Sequence, residues 1–314
     1  MSELRAIIIS GPTATGKSRL AIDVALWLRE KGVPSEIVSA DSAQVYRYMD
    51  IGTDKLLPEE RKGVRHHLID VVDPDQQFDA IKFRSLALKE IERICAEGGI
   101  PITVGGTGFW IRVLLYGLFP GPARNPAIRA ELKELAKEKG RHYLHKLLSE
   151  IDPESARRIH PNDIQRLIRA LEVYRLTGKP LSEHFQKQKP SCSFNALHLA
   201  LNLDRHLLYQ KINQRVDKMM EKGFLDEVKR LREMGYGPEL ESQKIIGYRQ
   251  LHSYLDGKLS LEKAIHEIKK QTRHYARRQI IWLRGEENVR WFNPEKEREK
   301  IFATIEKFIE EGKI

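Results

Sequence analysis

The stretch Ile7-Ile8-Ile9-Ser10-Gly11-Pro12-Thr13-Ala14-Thr15-Gly16-Lys17-Ser18 constrains this chain more than any other. A β-branched run leads into G-x-x-x-x-G-K-S, and a helical pattern follows at once, which is the order strand, glycine turn, helix. The glycines let the backbone bend so that successive N–H groups point at phosphate oxygens. Lys17 adds a mobile charge for the terminal phosphates, and Ser18 offers a hydroxyl to Mg²⁺. The helix that starts near Gly16 aims its positive end at the same anion. Read alone, this is a nucleotide-binding loop of the kind that holds ATP, and a diphosphate or longer polyphosphate is its expected ligand.

Alternation of strand and helix patterns continues to about residue 118. Leu20, Ala21, Val24, Ala25 and Leu28 recur at helical spacing, and Glu36 to Asp41 reads as a second buried strand. That strand delivers Asp41, Ser42 and Gln44 to its C-terminal end, where open parallel sheets bind ligands. A third strand is expected over His66–Val72. A helix over Ala80–Ala96 should bury Ile81, Leu88, Ile91 and Ile94. The fourth strand, Ile100–Val104, ends in a second glycine turn, Gly105-Gly106-Thr107-Gly108. The pattern predicts an α/β fold: a P-loop NTPase-like parallel sheet flanked by helices.

After Gly117 the texture changes. Prolines break the pattern, and residues 128–188 read as short, charged helices. Asn195–Asn202 returns as an apolar strand, and everything beyond Arg205 reads as helix. The expected organisation is a catalytic core of residues 1–118 and 195–314, an all-helical insertion at 119–194, and a helical C-terminal part.

Composition narrows the partners. Fifty-four Lys and Arg against 44 Asp and Glu give a net charge of +10, which favours a polyanion. The excess clusters. Residues 269–284 (KKQTRHYARRQIIWLR) hold six basic residues and no acid, interleaved with His274, Tyr275 and Trp282; residues 157–169 (RRIHPNDIQRLIR) hold four arginines against Asp163. Arginine forks grip phosphates and stack on bases, and aromatic rings add stacking surface. Trp282 with Ile280, Ile281 and Leu283 reads as core. No apolar run approaches a membrane span, and the N-terminus lacks a signal-peptide pattern. Cys95 and Cys192 have neither zinc nor disulfide spacing. The cytosol is the expected location and a monomer the expected state.

Six separated motifs then agree. GPTATGKS (11–18), SADSAQVYRYMDIGTDK (39–55), VGGTGFWIRVLLYGL (104–118), RIHPNDIQRLIRALEVYRLTGKP (158–180), IIGYRQL (245–251) and TRHYARRQIIWLR (272–284) resemble the tRNA dimethylallyltransferase family, in its bacterial form. The resemblance runs from Ile8 to about Arg284. It implies transfer of a dimethylallyl group from dimethylallyl diphosphate to N6 of the adenosine 3′ to the anticodon, in tRNAs reading codons that begin with U. By the same resemblance the loop of Gly11, Pro12, Thr13, Ala14, Thr15, Gly16, Lys17 and Ser18 grips the diphosphate rather than ATP, with Mg²⁺ at Ser18 and Arg215 facing the same group. Asp41 matches the general base, with a Walker-B-like Mg²⁺ ligand as its other reading. Thr13, Lys17 and Thr107 complete the implied catalytic set. Implied tRNA contacts are Asp41, Ser42, Ala43, Gln44, Thr107, Arg129, Gln165, Arg166, Leu167, Ile168, Arg169, Arg277, Arg278 and Arg284. Phe109-Trp110 departs from the family's usual Leu-Tyr, a same-class swap whose effect on the prenyl tunnel the sequence leaves open. The C-terminal zinc finger of some members has no cysteines here. A P-loop kinase would explain residues 1–118 but not the basic segment. An adenylate isopentenyltransferase shares the chemistry with a nucleotide acceptor, and a non-catalytic RNA-binding ATPase would need no base at Asp41.

Overall fold

In the computed structural model, residues 4–118, 121–186 and 194–311 are described. They divide into two compact units, Met1–Tyr116 with Cys192–Ile314 and, separately, Gly117–Ser191.

The first unit is built on a six-stranded, wholly parallel sheet. Its strands are β1 (Arg5–Ser10), β2 (Ile37–Ser39), β3 (His66–His67), β4 (Ile102–Gly105), β5 (Asn195–Leu201) and β6 (Val289–Phe292), in the spatial order β3-β2-β4-β1-β5-β6. β1 is central, with Ile7 registered against Ile102 on one side and Leu197 on the other. Side chains alternate across the sheet, so one short run feeds two cores. Ile7 and Ile9 join one face with α1 (Lys17–Glu30) and α13 (Arg298–Glu311); Ala6 and Ile8 join the other with α2 (Ala80–Ala96) and α3 (Gly108–Tyr116). That second face is also covered by α9 (Arg205–Glu221), α10 (Phe224–Glu233), α11 (Tyr248–Leu255) and α12 (Leu261–Arg284).

Three expectations need correction. The strand expected over His66–Val72 is only His66–His67, because Leu68 and Asp70 take left-handed φ of 62° and 57° and the extended path ends there. The buried stripe of α2 is Ala80, Phe83, Ala87, Ile91 and Ile94. Ile81 is 63% exposed, rotated off the stripe that Phe83 defines, and Leu88 is only partly buried. The C-terminal part is not all helix: Val289–Phe292 adds a strand to the sheet edge, with His198 opposite Val289. Its four half-buried residues are too short a run to show periodicity.

The second unit consists of α4 (Pro126–Glu138), α5 (Arg141–Ile151), α6 (Pro153–Arg158), α7 (Ile164–Thr177) and α8 (Leu181–Gln186). Leu132, Leu144, Leu148, Leu167, Ile168 and Leu171 fill its core. Glu172 is completely buried there, and its carboxylate accepts hydrogen bonds from Arg129, Arg169 and the Asn125 N–H at 2.8–3.0 Å. These partners hold its acid well below the usual range, at about 2, despite burial.

Candidate active site

Three loops leave the C-terminal ends of β1, β2 and β4 and meet over one cavity of about 360 Å³. The first is the glycine loop. Gly11 sits at φ 143°, and a Cβ there would lie 2.5 Å from the Leu201 carbonyl, so neither its conformation nor its space admits a side chain. Gly16 caps α1 in the left-handed region, and Ser10 is fixed below by His198 at 2.8 Å. Thr15 Oγ1 donates to the Pro12 carbonyl at 2.8 Å, which closes the loop on itself.

Lys17 projects into the cavity and donates to the Pro12 carbonyl at 2.7 Å. Burial, then the nearby Arg215 guanidinium, pushes its ammonium down to about 8, while Asp41 and Asp54 pull the other way. Arg215, from α9, donates to Thr13 Oγ1 at 2.8 Å and pairs with Asp54 at 3.2 Å. Two cations therefore stand beside a row of backbone N–H groups, an arrangement suited to a diphosphate. Ser18 also reaches the cavity. One hydroxyl with carboxylates nearby is an all-oxygen donor set that suits Mg²⁺, which takes one or two protein ligands and fills its shell with phosphate oxygens and water. Among the described residues no group of three or more His, Cys, Asp or Glu could hold a metal unaided.

The second loop follows β2. Asp41 and Ser42 line the cavity, with Asp41 Oδ1 accepting from the Ala43 N–H at 2.8 Å. Gln44 donates to the Thr53 and Asp54 carbonyls and receives from Ser39, so it folds the loop rather than standing free. Farther along, the buried Glu227 carboxylate collects the N–H groups of Asp50, Ile51 and Gly52 at 2.7–3.1 Å and the Tyr248 hydroxyl at 2.6 Å. This pins the segment that carries Asp54.

The third loop follows β4. Thr107 Oγ1 accepts from the Ser42 N–H at 3.1 Å and donates to Ser42 Oγ, so it holds the second loop instead of lining the cavity itself. Tyr275 of α12 does line the cavity and stands beside Thr107. Burial and the neighbouring Asp41 charge push its phenol up to about 12. Gln279, one turn on, accepts from the Thr13 N–H at 3.0 Å and donates to the Gly106 carbonyl at 2.8 Å. An apolar part of the wall is formed by Val216, Met219, Phe224, Ile245, Ile246 and Ile268.

Most of the expected diphosphate and base-side residues therefore surround one cavity. Others fall elsewhere. Phe109 and Trp110 do not line it: Trp110 is buried against Phe78 and Phe83, and Phe109 is 53% exposed. Leu167 and Ile168 are completely buried in the helical unit, so their side chains cannot meet RNA as expected. Arg129 and Arg169 are engaged by Glu172, whereas Gln165, Arg166 and Arg157 are exposed. The acid-free segment is not acid-free in space, since Lys269 pairs with Asp217 and Lys270 with Glu267. Arg277, Arg278 and Arg284 are exposed and form no ion pair among the described residues. Leu283 is buried, but Ile281 is 58% exposed and Trp282 half-buried, so only part of the expected core patch is core. Gln279 and Asp54 are site residues that the sequence did not single out, and Tyr275 reads there only as a stacking ring within the basic segment.

A parallel sheet with a glycine loop at the end of its central strand, gripping Lys17 at a helix start, makes this an α/β protein of the P-loop class. Its cavity joins an anion cradle to an apolar wall and a carboxylate. A sequence model described as IPP transferase matches residues 44–286, and the chain belongs to that family. It is 49% identical over 308 residues to the tRNA dimethylallyltransferase of Carboxydothermus hydrogenoformans, covering 97% of each chain, and 47% identical over 291 residues to that of Thermotoga maritima, covering 92% of each. The structure of the tRNA isopentenylpyrophosphate transferase of Bacillus halodurans matches with a TM-score of 0.72 at 39% identity, over 98% of this chain and 96% of that one. A eukaryotic dimethylallyltransferase acting on tRNA matches with a TM-score of 0.78 at 30% identity, over 98% of this chain and 80% of that one.

Proposed function

We infer that this protein is a tRNA dimethylallyltransferase, moving the dimethylallyl group of dimethylallyl diphosphate to N6 of the adenosine 3′-adjacent to the anticodon. The observation that carries the chemistry is the single cavity in which Lys17 and Arg215 stand beside an apolar wall and Asp41. The names of the relatives supply the acceptor, and neither a small-molecule kinase nor an enzyme using free adenylate is favoured by them.

The N6 lone pair attacks the allylic carbon, the carbon–oxygen bond breaks, and its electron pair leaves on the diphosphate. Loop N–H groups, Lys17 and Arg215 stabilise the charge that gathers there, with Thr13 held in place by Arg215. Mg²⁺ at Ser18 would neutralise part of the diphosphate charge. Asp41 accepts the N6 proton, and Thr107 fixes the loop that carries it through Ser42. The apolar wall holds the dimethylallyl group and excludes water from a reactive allylic centre. The target base must leave its stack to reach the cavity. Exposed arginines of both units, Arg157 and Arg166 in one and Arg277, Arg278 and Arg284 in the other, are the proposed phosphate contacts. We take the protein to act as a cytoplasmic monomer.

The test is a transfer assay with Mg²⁺, radiolabelled dimethylallyl diphosphate and unmodified tRNA carrying adenosines at and after the third anticodon base. Label should enter tRNA and not AMP, and Asp41→Ala should cut the rate by about 10²-fold or more, the scale of general-base loss. Label on AMP would move the protein to the free-nucleotide branch. Consumption of ATP without label transfer would leave a kinase.

A further inference from the structure

Helix α12 has two faces with different tasks. Tyr275, Gln279 and Trp282 follow one another at i, i+4 and i+7 and point at the loops of the active site. Tyr275 lies beside Thr107, which in turn holds the Ser42 N–H. Gln279, 7% exposed, joins the glycine loop to the second glycine turn, its carbonyl taking the Thr13 N–H and its amide donating to Gly106. A Cβ on Gly106 would fall 2.2 Å from the Gln279 amide nitrogen, and one on Gly108 would fall 2.1 Å from the Trp282 ring. The second glycine turn is therefore shaped to admit this helix. The opposite face presents Arg277, Ile281 and Arg284 to solvent, and Arg278, also exposed, stands at the edge between the two with its guanidinium over the Tyr275 ring at 5.8 Å.

We propose that α12 couples the two substrates, and that Gln279 is the positioning residue through which RNA bound on the arginine face is felt at the diphosphate loop. This rests on the acceptor being RNA. Phosphates that fix Arg277, Arg278 and Arg284 hold the helix in one position. Because Gln279 bonds the loop backbone itself, a helix so held also holds Thr13, and less ordering is left for the diphosphate to impose. The coupling is reciprocal: diphosphate in the loop tightens RNA to the same degree. A glutamine suits the task, since one amide supplies both an acceptor and a donor and satisfies a part-buried N–H and a part-buried carbonyl together.

The test measures the Kd of inorganic diphosphate with Mg²⁺, by calorimetry, with and without a saturating anticodon stem-loop RNA. The wild-type protein should bind diphosphate about fivefold or more tighter with RNA present, at the lower end of coupling between sites. Gln279→Met, of similar volume, should bring that ratio to within about twofold of one, a readout that a merely structural loss would not move selectively. Gln279→Glu keeps the acceptor for Thr13 and loses the donor to Gly106, so it should retain part of the ratio. Should Gln279→Met fold poorly, the exposed pair Arg277→Ala with Arg278→Ala approaches the latch from its other end and should lower the ratio at saturating RNA. A wild-type ratio of one, with RNA bound and label transferred, overturns the latch and leaves the enzymatic reading intact. So does a Gln279→Met ratio equal to the wild type. Failure of the wild type to bind or label RNA instead overturns the acceptor reading and the latch with it, and the transfer assay alone reveals that case.

Discussion

Lys17 is legible twice over, once as a letter in a motif and once as an ammonium with a displaced proton affinity. Its pKa of about 8 in the folded protein lies below the ordinary 10.5, because burial and Arg215 disfavour the charge. A bound diphosphate favours the charged form and raises that value again, so binding takes up a proton above pH 8. Affinity for dimethylallyl diphosphate, measured without acceptor, should hold steady below pH 8 and fall above it, by up to tenfold per pH unit. Lys17→Met should bind weakly throughout and lose that limb of the profile; an unchanged limb would assign it to another group. The motif is legible because its meaning is local, one loop and one helix start. Asp54, Gln279 and the site role of Tyr275 were not legible, since each matters through a partner far along the chain: Arg215, Thr13 and Thr107. No spacing rule carries such contacts.

At the scale of elements, helices and strands with a strong period were readable and short ones were not. β1, α1 and α12 announce themselves, whereas β3 is two residues ended by left-handed backbone and β6 is four half-buried residues. In α7 the sequence QRLIR offers charge and apolar residues alike. Only packing separates exposed Gln165 and Arg166 from buried Leu167 and Ile168. The same helix carries Glu172, whose carboxylate ties α7 to Arg129 and Asn125 at the start of α4. Its acid sits at about 2, below the usual carboxylate value, so the tie is complete at neutral pH and is lost only as pH falls through that low value. Glu172→Ala should destabilise the helical unit by about 3–5 kcal/mol, leaving two guanidinium groups facing an empty pocket. Urea unfolding followed by a probe in that unit measures it, and a loss below about 1 kcal/mol would mean that the guanidinium groups find water instead.

Over the whole molecule the charge of +10 foretold a polyanion, and the structure adds where the charge is free. Lys269 and Lys270 are paired with acids, while Arg277, Arg278 and Arg284 are not, among the described residues. RNA affinity should fall steeply with salt. Removing Arg277 and Arg278 together should flatten the plot of log affinity against log salt by about 1.4, two single-strand phosphate contacts. Lys269→Ala should barely change it. Equal slopes for all three proteins would take α12 out of the RNA surface. Fold class was legible because alternating strands and helices leave few layered solutions; which cations stay unpaired was not, because their partners come from other elements.

The segment after β2 holds a second concavity of backbone N–H groups, at Asp50, Ile51 and Gly52, and it is filled by Glu227 of the chain itself. The glycine loop is built to the same chemical plan, yet no carboxylate of the protein bonds its backbone N–H groups among the described residues, where Thr13 meets only the neutral Gln279. One nest is corked from within and the other is kept for a visitor. Sulfate or phosphate ions at high concentration accordingly compete for this open cradle, and inhibition by either should follow a single-site law against dimethylallyl diphosphate.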